Sequence, residues 1–167
     1  QYYEPIMYAA NMTTESITDA LFMYGFMFAL VILIAGFLGD ALGRKATVII
    51  CGSLSIVLFI LFVFGANNGW NPYLVGTFYG LYLGCFWQGG DYLMIIASEK
   101  TPTSNRTSVL SAMGFLMMFI GLLGTIYMSV ALQFTSISLA VLILAVTCIV
   151  ISLLILAFKV KDTKGVD

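Results

Sequence analysis

Long apolar runs separated by short polar breaks set the pattern of this chain. Five runs are long enough to cross a bilayer as helices: about 17–38, 46–66, 73–97, 107–132 and 137–158. A span takes about 20 apolar residues, because roughly 30 Å is crossed at 1.5 Å per residue. The breaks fall at 39–45, 67–72, 98–106 and 133–136, and connections that short join antiparallel neighbours. The pattern predicts an all-α membrane protein. Residues 1–12 would end an incomplete transmembrane helix and its external loop, 13–158 would form a five-helix transmembrane bundle, and 159–167 a tail. Met12 to Ser16 offer N-cap candidates for the first full span, with Ser16 and Asp19 at capping-box spacing.

Within the runs, small residues mark expected contacts. Gly76, Gly80 and Gly84 make two overlapping GxxxG steps, which let a second helix approach closely. At about 100° per residue, Gln88 lies about 40° from Gly84 and Asp91 about 20° from it on the other side, so all five share one stripe. Ser111, Gly114, Gly121 and Gly124 form a similar stripe in the next span. The runs 46–66 and 137–158 are almost wholly aliphatic and read as outer, lipid-facing helices. Trp70 and Tyr73 fall where an interfacial aromatic belt is expected.

Charge gives the bundle a direction. All seven bases fall on alternate breaks: Arg44 and Lys45, Lys100 and Arg106, then Lys159, Lys161 and Lys164. By the positive-inside rule these breaks and the C-terminus are cytoplasmic, in a multi-pass protein of the cell membrane. Asn11-Met12-Thr13 is then an external glycosylation sequon. Composition agrees with a lipid environment, with 61% hydrophobic and only 9% charged residues, against roughly a quarter charged in soluble domains. A net charge of −1 leaves no basic face for nucleic acid. The chain has no His, the commonest general base and metal ligand. Its three cysteines (Cys51, Cys85, Cys148) each sit alone inside an apolar run and read as small buried hydrophobes. Neither an enzyme, a metal site nor a cofactor is expected.

A few polar residues are costly enough to need a purpose. Asp91 lies inside a span, flanked by Trp87, Gln88 and Tyr92, and a carboxylate near a helix centre costs about 2.5–3.5 kcal/mol. It is expected to face a bundle interior or wet cavity and to take up and release protons. Tyr24 joins Asp91, Gln88, Trp87 and Tyr92 as a candidate substrate or proton contact. At the break after the first full span, Asp40 ends one helix while Arg44 and Lys45 begin the next, each opposing its helix dipole. Glu99 and Arg106 repeat that arrangement at 98–106. These four groups, Asp40, Arg44, Glu99 and Arg106, are expected to form a charge lock present in one conformation and broken in another.

The residues at this break also carry a resemblance. Gly36, Leu38, Asp40, Gly43, Arg44 and Lys45 are similar to the G-x-L-x-D-R-x-G-R-[RK] loop of the major facilitator superfamily, with Ala41 where the family usually has a base. Glu99 to Arg106 looks like the E-x-x-P-T-x-x-R element of sugar-porter-like and organic-ion-porter-like members. Lys161-Asp162-Thr163-Lys164-Gly165 resembles the E-T-K-G that follows the last helix there.

The resemblance implies half of a major-facilitator-type bundle: the C-terminal six-helix half with its first helix truncated, the N-terminal half being the competing placement. Gln1 to Pro5 would then correspond to the outer seventh helix, making Tyr2 and Tyr3 candidate outer-gate residues. Gly36, Asp40, Gly43, Arg44, Lys45, Glu99 and Arg106 would form the cytoplasmic gate. The implied function is secondary active transport of a small polar solute, a sugar or organic acid, coupled to protons by alternating access. Its partners are the solute, protons, the bilayer and the missing N-terminal six-helix half. Drug or metabolite efflux or uniport is the alternative within transport, and a non-transporting scaffold or sensor the alternative outside it.

Overall fold

The computed structural model describes residues 2–159, and every described element is helical. The tail motif at Lys161 to Gly165, like Gln1, lies outside the described residues. The helices are α1 (Tyr3–Ala9), α2 (Thr14–Leu42), α3 (Arg44–Asn67), α4 (Pro72–Lys100), α5 (Arg106–Ala131) and α6 (Ile137–Lys159). Four of them, α2, α3, α5 and α6, are long and apolar enough to cross a membrane. Helix α4 has the length, 29 residues, but glycines, tyrosines, Gln88 and Asp91 dilute its apolar content. It packs between α2 and α3.

Local chemistry sets the helix ends. Short α1 gives way to Asn11 at φ 60°, a left-handed position that asparagine tolerates. Thr13, not Ser16, caps α2: its side chain accepts from the Ser16 amide at 3.3 Å. The expected Ser16–Asp19 box is already one turn inside the helix, where the amides bond along the chain. Asn71 caps α4 by accepting from the Tyr73 amide at 2.9 Å, and Pro72 fills the first position, where no amide proton is required.

The expected turn over 39–45 is almost entirely helix. Helix α2 continues through Asp40 to Leu42 and α3 starts at Arg44, leaving Gly43 as the single non-helical residue. Its φ of 93° and ψ of 153° fall in a region open essentially to glycine alone. The Gly43 carbonyl then accepts from the Thr47 amide at 3.1 Å and the Thr47 hydroxyl at 3.0 Å. Polar side chains do not end a helix; a backbone that only glycine adopts does.

Parallel α2 and α4 form the closest pair, and the glycine stripe is the reason. A Cβ at Gly76 would run into the Ala20 carbonyl, one at Gly80 would lie 2.6 Å from the Tyr24 carbonyl, and one at Gly84 2.6 Å from the Val31 Cβ. The stripe in α5 has no such role. Gly114 and Gly121 face open space, and Gly124 only approaches Leu144 at 3.8 Å.

Helix α3 corrects the expectation that 46–66 is a lipid-facing outer helix. It carries ten buried residues, including Thr47, Ser55, Phe59 and Phe62, and packs on α4, α6 and α2. Apolarity alone does not tell which side meets protein, since lipid tails and leucines are equally apolar; the marker is the small stripe Thr47, Cys51 and Ser55 at four-residue steps, all buried. Helix α5 is the peripheral one, with Met128 alone buried. Cys51 of α3 and Cys85 of α4 are buried in one small cluster with Leu58, while Cys148 is exposed.

Candidate functional site

Helix α4 turns a tyrosine face toward its neighbours, and an open cleft of about 460 Å³ forms along it. Tyr79, Tyr82, Phe86 and Trp87 of α4 line one wall, Tyr2, Tyr3 and Ile6 the α1 side, with Tyr24 of α2, Phe59 of α3 and Val141 of α6 closing it. That volume lies within the range of small-ligand sites, about 300–1,000 Å³. The rings brace one another. Tyr3 and Tyr24 lie with centroids 5.0 and 5.2 Å from Tyr79, and Phe59 4.6 Å from Tyr82, inside the 4.5–7 Å range of favourable aromatic pairs. Tyr79 is 7% exposed, yet its hydroxyl makes no hydrogen bond to another described residue, although buried hydroxyls normally find one.

Depth follows from helix rise. Trp87 is fifteen residues past Pro72, so it stands about 22 Å along a helix of about 43 Å. The cleft therefore reaches from the first third of α4 to its middle. No Asp, Glu, Lys or Arg lines it, and among the described residues no three Cys, Asp or Glu side chains converge as a metal would need.

The candidate residues divide. Tyr2, Tyr3, Tyr24 and Trp87 line the cleft; Gln88, Asp91 and Tyr92 do not. Asp91 is exposed, one turn past Trp87 on α4, and Gln88 is half-buried. Tyr92 is a structural contact rather than a lining residue. It is buried, its hydroxyl donates to the Ala35 carbonyl at 2.7 Å, and its ring covers Gly39, where a Cβ would overlap it. Tyr79, Tyr82, Phe59 and Phe86 are lining residues that the candidate set omits. The i, i+3, i+7 spacing of Tyr79, Tyr82 and Phe86 was a readable helical stripe; Phe59 continues the four-residue steps of Thr47, Cys51 and Ser55 on the buried side of α3.

At the opposite, basic end, Arg44 and Glu99 form an ion pair between the start of α3 and the end of α4. Each opposes its own helix dipole, and pairing offsets both. Lys45 donates to the Ala157 carbonyl at 3.1 Å, satisfying a late carbonyl of α6. Asp40 and Arg106 are exposed and lie outside the Arg44–Glu99 pair. A Cβ at Gly36 would meet open space.

In comparisons with known proteins, the family model of the Major Facilitator Superfamily matches residues 2–166. No curated protein and no solved structure matches the chain.

Proposed function

Because the chain belongs to the major facilitator superfamily, and is a multi-pass membrane protein concerned with transport, we propose that it carries a small organic solute by proton-driven alternating access. In this reading the solute occupies the aromatic cleft and a second six-helix half closes over it, so that the two halves rock about a midplane site. The observation that carries the proposal is the position of the cleft: concave, ligand-sized and ending at the middle of α4. The open space beside Gly114 and Gly121 of α5 suits a second half docking there.

Asp91 has the proton role. An acid facing lipid at that depth is too costly to persist, so its exposure supports a wet cavity between the halves. The Arg44–Glu99 pair forms the gate on the basic side, which the positive-inside rule places in the cytoplasm; Asp40 and Arg106 enter it in one conformation only. The lining bears on the choice of solute. With no charged group and eight aromatic residues, it favours the efflux alternative, a solute with apolar surface, over a sugar or organic acid.

Counterflow in proteoliposomes with sugars, organic acids and lipophilic cations tests the proposal. Exchange of one class, with Asp91→Asn keeping counterflow but losing uphill accumulation, is expected. Full uphill transport by Asp91→Asn removes the proton role, and no exchange of any class leaves the scaffold or sensor reading.

A further inference from the structure

Among the described residues, charge is distributed unevenly along the bundle. Glu4 adjoins Tyr3 in α1, while Glu15 and Asp19 stand in the first turns of α2. Asp91 follows Trp87 by one turn of α4. Among the described residues, Arg44, Lys45, Lys100 and Arg106 stand at the other end, away from the cleft. The charges nearest to lining residues along the chain, Glu4 beside Tyr3 and Asp91 one turn past Trp87, are both negative, which favours cations over anions.

The walls favour the same sign. Aromatic rings present a negative π-face, and a cation over several faces in a desolvated site is held by each of them. Tyr3, Tyr24 and Tyr79 pack ring to ring at the cleft, with Phe59 and Tyr82 beside them and Trp87 at the deep end, so a cation in the cleft meets aromatic surface on several sides. The free hydroxyl oxygen of Tyr79 adds a lone-pair acceptor. An organic anion would find no donor stronger than a phenol here. A sugar would have to give up water from several hydroxyls to a wall with no amide or carboxylate to replace it. A weakly hydrated cation, such as a quaternary ammonium, has least to lose.

We propose that the aromatic cleft binds a monovalent organic cation with an apolar or aromatic body, held by the tyrosine cluster and Trp87. The proposal rests on the transport reading for what binding leads to, but binding itself can be measured alone.

Equilibrium dialysis of the detergent-solubilised full chain against labelled benzyltrimethylammonium is the test, with neopentylbenzene (its uncharged carbon isostere), benzoate and phenyl β-glucoside as competitors. The cation should bind about tenfold or more tighter than each competitor. Tyr79→Phe, which keeps the ring, should hold affinity within about threefold, while Tyr79→Leu should lose about tenfold. Trp87 is 54% exposed, so Trp87→Leu leaves the packing intact and should lose a similar factor. Benzoate, glucoside or neopentylbenzene binding as tightly as the cation overturns the proposal, as does a Trp87→Leu protein with undiminished affinity. Counterflow separates the two readings: cation binding without exchange of any solute removes transport alone, and exchange without cation preference removes this proposal alone.

Discussion

Replacing Gly39 by alanine should destabilise the protein through one neighbour, the Tyr92 ring, and the sign of the effect should reverse when that ring is removed. The added Cβ would overlap the phenol, which is 7% exposed and tied to the Ala35 carbonyl at 2.7 Å. Moving it means giving up that hydrogen bond, worth about 0.5–1.5 kcal/mol, and overpacking a buried contact, at about 1–3 kcal/mol. Against this, alanine gains about 1 kcal/mol over glycine inside a helix. The net cost of Gly39→Ala is about 1–3 kcal/mol by these magnitudes. In a Tyr92→Ala background the overlap is gone and only the propensity gain remains, so Gly39→Ala should stabilise by up to about 1 kcal/mol. Unfolding of the detergent-solubilised protein by SDS, followed by circular dichroism in all four members of the cycle, measures the coupling. An equal cost for Gly39→Ala in both backgrounds would refute the reasoning, because the penalty would then come from somewhere other than Tyr92.

Three further outcomes follow from the packing. Gly80→Leu places a side chain against the Tyr24 backbone, which cannot rotate away, and should cost at least about 1–3 kcal/mol; a melting temperature equal to the parent's would show that α2 and α4 are not in contact. Gly43→Ala keeps the small size but not the φ of 93°, so a loss of about 1–3 kcal/mol is expected in the same assay. Exchanging the charges of the half-exposed Arg44–Glu99 pair should alter stability by less than about 1 kcal/mol, yet Arg44→Glu alone should raise labelling of cysteines placed at that end, with Glu99→Arg restoring the parent level. If Asp40→Asn with Glu99→Gln leaves transport and labelling unchanged, the lock has no function.

Helix positions were legible because a bilayer imposes length and apolarity together. The run at 73–97 became α4 at Pro72–Lys100, and 137–158 became α6 at Ile137–Lys159. What the runs could not mark was where helix stops, since Asp40, Arg44 and Glu99 are all compatible with it. The glycine stripe was legible as a contact, but its partner was not, because GxxxG names one side only. The site was half legible: Tyr24 and Trp87 line the cleft, but Asp91 drew Tyr92 into the candidate set by adjacency in sequence, and one residue along a helix is a turn of about 100°. Hydropathy could not mark Phe59, because it does not separate a lipid-facing from a protein-facing phenylalanine; the four-residue steps of Thr47, Cys51 and Ser55 that lead to it were the signal.

The fixed spacing of Gly76, Gly80 and Gly84 has a consequence for register. A repeat of four residues fits its partner almost equally well after α4 slides about 6 Å, with Gly80 then opposite Ala20 and Gly84 opposite Tyr24. The glycines thus set how near the two helices come, without choosing among alignments. The choice falls to the residues after the repeat. After such a slide, Gln88 would occupy the space beside Val31 that Gly84 now leaves open, and Ile96, with no hydroxyl, would stand where Tyr92 now bonds Ala35. Tyr92 over Gly39 is the index mark of the pair, selecting one alignment from a set that the glycines alone leave nearly degenerate.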